Sequence, residues 1–178
     1  MDHPHLDEKL VEAAKEFATN RHNATGKMYG DGPYVDHLQK VVDMARTYLH
    51  LVPEKRQTAA LIACWCHDIL EDTETQYREV KTLFGYKAAE VIYAVSDELG
   101  RNRKERALKT YLKILANPLA MFVKLCDRIV NMEFSKHDSA RLHDMYKREF
   151  RQFEYVLCTE DAFSRYEVMW ARLQAFNV

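Results

Sequence analysis

The chain has 178 residues, 47% of them hydrophobic and 30% charged, with a formal net charge of −1 at neutral pH. That balance suits a folded globular chain and excludes a disordered one; a nearly neutral surface gives no bulk attraction to nucleic acid or to an anionic membrane. The polar, acidic start is unlike a secretory leader, and the longest apolar run is too short to cross a bilayer, so a cytoplasmic protein is expected.

Taken in chain order, the pattern is helical almost throughout. Leu10, Val11, Ala14, Phe17 and Ala18 recur at helical spacing and predict a helix over 7–21. Residues 23–32, with three glycines, read as a loop. Pro33 suits the first turn of a second helix that runs to about residue 49. A third helix is expected over 54–70 and a short fourth from 75 to Gly85, which reads as a C-cap. A fifth covers 86–96, and the charged stretch 97–105 reads as a loop. Further helices are expected over 106–116, 118–134, 139–158 and 160–175. No Val/Ile/Thr alternation marks a sheet. The expected fold is all-α: one globular bundle spanning 1–178, with about eight or nine helices.

Four cysteines are present, at Cys64, Cys66, Cys126 and Cys158. Cys64 and Cys66 point in different directions on a helix, so small buried thiols in a reducing compartment are expected.

The densest chemistry lies in His67-Asp68-Ile69-Leu70-Glu71-Asp72-Thr73. It follows the apolar run Ala59 to Cys66, which reads as a buried helix. Acids at the end of such a helix are costly to bury and oppose the helix dipole unless something compensates them. A divalent metal would. On a continuous helix His67 and Glu71 lie one turn apart, as do Asp68 and Asp72. His67 and Asp68 could hold an ion, with Glu71 and Asp72 beside its water, as in a metal-activated hydrolase.

Other elements must complete such a site. Of the eight histidines, His3 and His5 lie near the terminus, while His50, His137 and His143 read as surface residues. His22 is ambiguous. His37 follows Pro33-Tyr34-Val35-Asp36 at a helix start, with Leu38, Val41 and Val42 packing beside it. Asp127 sits inside the apolar helix from Ala120 to Met132, and Asn131 follows one turn later on the same face. Pairing with the adjacent Arg128 does not explain Asp127, because neighbouring helical residues diverge.

Three motifs in this order resemble the HD superfamily of metal phosphohydrolases: His37 after Pro-Tyr-x-x, then His-Asp-x-x-x-Asp-Thr with Glu71 inside it, then Val123-Lys124-Leu125-x-Asp127-Arg128-x-x-Asn131-Met132. The pattern is most similar to the alarmone hydrolase branch, the RelA/SpoT hydrolase domain and its small stand-alone relatives, over roughly residues 8–135. The resemblance implies an HD-type bundle and one Mn²⁺ held by His37, His67, Asp68 and Asp127. It implies Glu71 and Asp72 as the pair that activates and positions water, and Asn131 as a ribose contact. The implied reaction removes the 3′-pyrophosphate from guanosine 3′,5′-bis(diphosphate), giving a guanosine nucleotide and pyrophosphate. Two histidines and two carboxylates suit Mn²⁺, although affinity alone would favour other ions. The residues outside the match leave no room for a synthetase domain, so a hydrolase alone is expected. The expected partner is a small nucleotide, and the sequence is silent on oligomeric state.

The match departs from the family around the substrate. In Gly26-Lys27-Met28-Tyr29-Gly30-Asp31-Gly32, Lys27 remains but Met28 stands where an Arg is usual, and Phe134 replaces a ribose-contacting Thr. Tyr29 or Met28 could stack on guanine or on another base. Arg101, Arg103 and Lys104, in a cationic stretch ending at Arg106, read either as a polyphosphate clamp or as a solvated loop. Tyr146, Lys147 and Arg148 are candidates to close the pocket. Two alternatives stay open: a nucleotidase or phosphatase acting on another 2′- or 3′-phosphorylated nucleotide such as NADPH, and an alarmone- or metal-binding module without turnover.

Overall fold

The computed structural model describes residues 6–176. Its elements, in order, are α1 (Glu8–Thr25), β1 (Met28–Tyr29), β2 (Gly32–Pro33), α2 (Val35–Thr47), a 3-10 turn (Leu49–Leu51), α3 (Glu54–Cys66), α4 (Ile69–Asp72), α5 (Tyr77–Val95), α6 (Arg103–Leu115), α7 (Pro118–Asp138), α8 (Ala140–Leu157) and α9 (Glu160–Gln174). The architecture is all-α apart from one two-stranded hairpin among the described residues.

Two helices form its centre. Every residue of α3 from Ala59 to Cys66 is buried, and α3 packs against α1, α2, α5 and α7. Helix α7 is buried along much of its length and touches α2, α3, α5, α6, α8 and α9. Each fully buried Leu or Ile contributes about 1.5–3 kcal/mol. Leu61, Ile62, Leu125 and Ile129, all fully buried, belong to the common core in which these two helices pack. That packing fixes where His67, at the end of α3, meets Asp127, midway along α7.

The ends of the helices follow their caps. Asp7 accepts from Leu10 N, and α1 stops at Gly26, whose φ of 67° is easy only for glycine. Asn117 accepts from Leu119 N and Ala120 N, with Pro118 in the first turn of α7.

Several expectations need correction. Residues 28–33 form a hairpin in the antiparallel register Tyr29↔Gly32, so Pro33 ends a strand and α2 starts at Val35. The turn Gly30-Asp31 takes a positive φ of 59° at Gly30 and is itself a hairpin signal; strands of two residues are too short to show alternation. Helix α3 stops at Cys66 rather than running to Leu70. Asp68 has φ −101° and ψ 2°, and its carbonyl accepts from Glu71 N and Asp72 N to open the separate turn α4. The continuous-helix spacing of the four polar residues therefore does not hold. Gly85, by contrast, is non-helical at φ 82° and ψ 168° and separates the two helical segments that together make up α5, as its reading as a C-cap expects. Helix α6 begins three residues early because Asn102 caps it, accepting from Glu105 N at 2.9 Å. Helix α7 continues to Asp138, four residues beyond the expected end.

Candidate active site

Three donors meet inside the bundle. His37, from the first turn of α2, and His67, capping α3, bring their Nε2 atoms to 3.2 Å. Asp127 Oδ1, from α7, lies 3.3 Å from His37 Nε2 and 3.7 Å from His67 Nε2. All three residues are buried. Asp68 stands beside them, with Oδ2 at 3.1 Å from His67 Nε2 and 4.0 Å from His37 Nε2.

The donor set fits a divalent ion. An ion about 2.1 Å from each donor holds neighbouring donors about 3 to 3.4 Å apart, close to the spacing of these three. His67 Nδ1 lies 2.9 Å from the Cys64 carbonyl; that N–H donates to the carbonyl and leaves the Nε2 lone pair facing the cluster. The Tyr34 hydroxyl donates to Asp68 Oδ2. Asn131 Nδ2 donates to Asp127 Oδ1 at 2.5 Å, and Lys124 Nζ to Asp127 Oδ2 at 3.1 Å.

Electrostatics favours a cation here. Burial works against ionisation of Asp127, but Lys124 and the two histidines outweigh it and hold the carboxyl well below its ordinary range. Burial likewise opposes a charged His67, yet Asp68 and Asp127 raise it to about 10. Carboxylates that hold a proton this tightly on a buried imidazole offer the same attraction to a metal.

Glu71 and Asp72 leave this cluster in different directions. Glu71 lines the cavity and its Oε1 accepts from Asp97 N at 2.8 Å. Loss of water around the carboxylate, followed by the nearby charge of Asp68, pushes Glu71 up to about 7. Asp72 instead binds Lys27, and it is Lys27 that faces the cavity, with Nζ 4.0 Å from the centre of the Tyr34 ring.

The cavity holds about 790 Å³ and brings together most of the residues predicted to bind substrate. Lys27, Tyr29, Arg103, Lys104, Asn131, Tyr146 and Arg148 all line it. Arg101 does not: it precedes the cap of α6, its side chain is 90% exposed, and it pairs with Glu105. Lys147 is also outside the lining. Tyr29 stacks on Phe134 at 4.0 Å between ring centres, so one of its faces is already covered. Gly30 lies so close that an added Cβ would sit 2.8 Å from Phe134 Cζ.

Several lining residues escaped the sequence reading: Tyr34, Asp97, Lys124, Arg128 and Glu149. Lys124 carried a signal, since three residues before Asp127 is the same helix face. Glu149 carried none, because only the packing of α8 on α7 brings it in. His22 is fully buried behind the Tyr34 ring at 4.9 Å. His50 and His137 are exposed as expected, whereas His143 is half-buried, with Nδ1 3.1 Å from Ser135 Oγ. His3 and His5 lie outside the described residues. All four cysteines are free thiols, Cys158 half-buried and the others buried.

The family model described as "HD domain" matches residues 14–153, most of the chain. The chain belongs to the HD domain family. This HD domain is similar to the guanosine-3′,5′-bis(diphosphate) 3′-pyrophosphohydrolase of Aquifex aeolicus, 30% identical over 128 residues, which cover 69% of this chain and 17% of that protein. It is also 30% identical over 126 residues to human guanosine-3′,5′-bis(diphosphate) 3′-pyrophosphohydrolase MESH1, covering 70% of this chain and 68% of that one. The chain thus spans less than a fifth of the bacterial relatives but most of the human one. A solved structure described as a metazoan ortholog of SpoT that hydrolyzes ppGpp shares the fold, with a TM-score of 0.72 at 18% identity over 95% of this chain and 97% of that one.

Proposed function

We propose that the chain is a single HD-type domain that removes the 3′-pyrophosphate from guanosine 3′,5′-bis(diphosphate) and its 5′-triphosphate form, using one Mn²⁺. The carrying observation is the donor cluster of His37, His67 and Asp127, of which Asp127 faces, beside Asp68, a cavity lined by Glu71 and six cationic side chains. Asp68 completes the ligand set in this reading. When bound, the ion supplies positive charge to a phosphoryl oxygen and lowers the pKa of water.

The chain's own residues do the rest. Water attacks the phosphorus attached to the 3′ oxygen and Glu71 takes the proton of the water; that P–O bond breaks with its electron pair going to the 3′ oxygen, which takes a proton from solvent and leaves as the 3′ hydroxyl. Asp72 anchors Lys27 at the rim, where the ammonium can meet a phosphate. Asn131, already held against Asp127, presents its amide to the ribose. Arg103, Lys104 and Arg148 bind phosphates at the α6–α8 wall, and Tyr146 closes that side. The substrate is a small nucleotide rather than a nucleic acid or a membrane, and the place of action is the cytoplasm. Among the described residues no helix is long and apolar enough to cross a membrane.

Incubation with guanosine tetraphosphate and Mn²⁺ tests this reading. It expects GDP and pyrophosphate in equal amounts; orthophosphate alone would contradict it. A second reading, hydrolysis of another phosphorylated nucleotide such as NADPH, draws on the Tyr29–Phe134 stack, which covers one face a guanine would use. The same assay with NADPH separates the two. Tight binding of both nucleotides with no product would mean a sensor rather than an enzyme.

A further inference from the structure

The α6–α8 wall contains an acid that works against its own cations. Glu149 Oε1 accepts from Arg103 Nε at 2.5 Å, and Oε2 accepts from Arg103 Nη2 at 3.3 Å. The same Oε2 accepts from Arg128 Nη1 at 3.5 Å. One carboxylate from α8 therefore occupies a guanidinium from α6 and another from α7. A fork of this kind is the geometry in which Arg grips a phosphate.

The two arginines differ in freedom. Arg128 is buried, with its guanidinium 4.8 Å from the Phe153 ring centre and 5.3 Å from that of Tyr146. It cannot swing away without losing both stacks. The Arg103 side chain is 56% exposed and leaves the first turn of α6, where the helix dipole does not favour a cation. Lys104 and Arg148 line the same cavity, are exposed, and have no ion pair among the described residues. The wall thus has two free cations, one fixed cation and one movable cation, with a single carboxylate holding the last two.

We propose that Glu149 is a built-in competitor for substrate phosphate: it holds Arg103 until the phosphates at the non-reacting end of a nucleotide displace it. The proposal rests on the nucleotide reading above but concerns only the phosphates that are not cleaved. Glu149 would then set how many negative charges a ligand must carry at that end. A nucleotide with a 5′-diphosphate pulls Arg103 across, whereas an uncharged nucleoside leaves the fork closed. Because the fork is partly exposed, the exchange is screened by salt.

The test uses the Mn²⁺-loaded protein and GDP, which carries only the non-reacting phosphates, with guanosine as the uncharged control. Calorimetry should find that Glu149→Gln binds GDP about three- to tenfold tighter than the natural protein. Affinity for guanosine should be the same in both, and the gain for GDP should shrink as salt is raised. In an Arg103→Gln background the gain should fall below about twofold, because the movable partner is gone. Melting temperatures check that each variant folds, and Glu149→Ser serves if the Gln variant does not. Equal or weaker GDP binding by the variants would overturn the proposal, as would an equal gain for guanosine or no GDP binding at all. If the variant tightens GDP but guanosine tetraphosphate is never hydrolysed, the competitor stands and the proposed reaction falls.

Discussion

The floor and the α6–α8 wall of the cavity are built on opposite plans. On the floor, His37, His67 and Asp127 come from three helices locked by the core, and His67 and Asp127 are each oriented by a fixed neighbour. On the wall, Arg103, Lys104 and Arg148 leave exposed turns, and only Arg128 is fixed by burial. The floor resembles a preformed ion site, where a small displacement breaks the geometry. The wall resembles a solvated charge field, whose strength depends on net charge and salt more than on angles. Chemistry is thereby separated from selection: substitutions on the floor should change turnover, and those on the wall should change affinity.

The contrast can be broken most sharply from the floor. His67→Ala should reduce turnover to below about a thousandth of the natural rate, with loss of bound Mn²⁺ by elemental analysis. A variant that kept both metal and rate would remove the floor from the mechanism. Glu71→Gln should keep the metal but lower kcat by about 10²–10⁴-fold, with KM little changed. If KM rose instead, Glu71 would belong with the wall.

The pH profile sharpens the same point. Glu71 must be ionised to accept a proton, and its protein surroundings and Asp68 raise it from 4.5 to about 7. Catalytic efficiency should therefore fall about tenfold per pH unit on the acid side. A dication beside Asp68 pulls Glu71 back down, so that limb should begin at or below about pH 7. Efficiency that stayed flat down to pH 4 would rule out Glu71 as the base.

Phe134→Thr should have a smaller effect. Losing the stack on Tyr29 removes about 0.5–1.5 kcal/mol beyond the buried area. A melt lowered by a few degrees is expected, with a few-fold change in the preference between guanosine tetraphosphate and NADPH. An unchanged preference would free Phe134 from any part in selection. Smallest of all, Arg101→Ala should alter KM by less than about twofold, since its exposed pair with Glu105 contributes little.

The floor was readable in the sequence because its residues break local rules. Asp127 is a carboxylate inside an apolar helix, and His67 and Asp68 end a buried one. What could not be read was the backbone around them: α3 stops at Cys66, a turn no local pattern announced. The capping pair Asn102 and Glu105 marks the start of α6 and the turn Gly30-Asp31 marks the hairpin, but both are short local signals set within a charged run and a glycine-rich stretch that read as loops. The wall was harder. Glu149 is one charge among many on an amphipathic helix, and only tertiary packing sets it against Arg103. Arg101, two residues before Arg103, precedes the cap of α6 and pairs with Glu105 instead of lining the cavity.

The central claim is that one ion on the floor drives pyrophosphate release. Its most direct test is a titration of metal-free protein with Mn²⁺ while pyrophosphate release from guanosine tetraphosphate is followed, in the natural protein and in Asp127→Asn. Activity should rise from zero and saturate at one ion per chain in the natural protein, and stay at background in the variant. Pyrophosphate release without metal, or undiminished release from Asp127→Asn, would contradict the account.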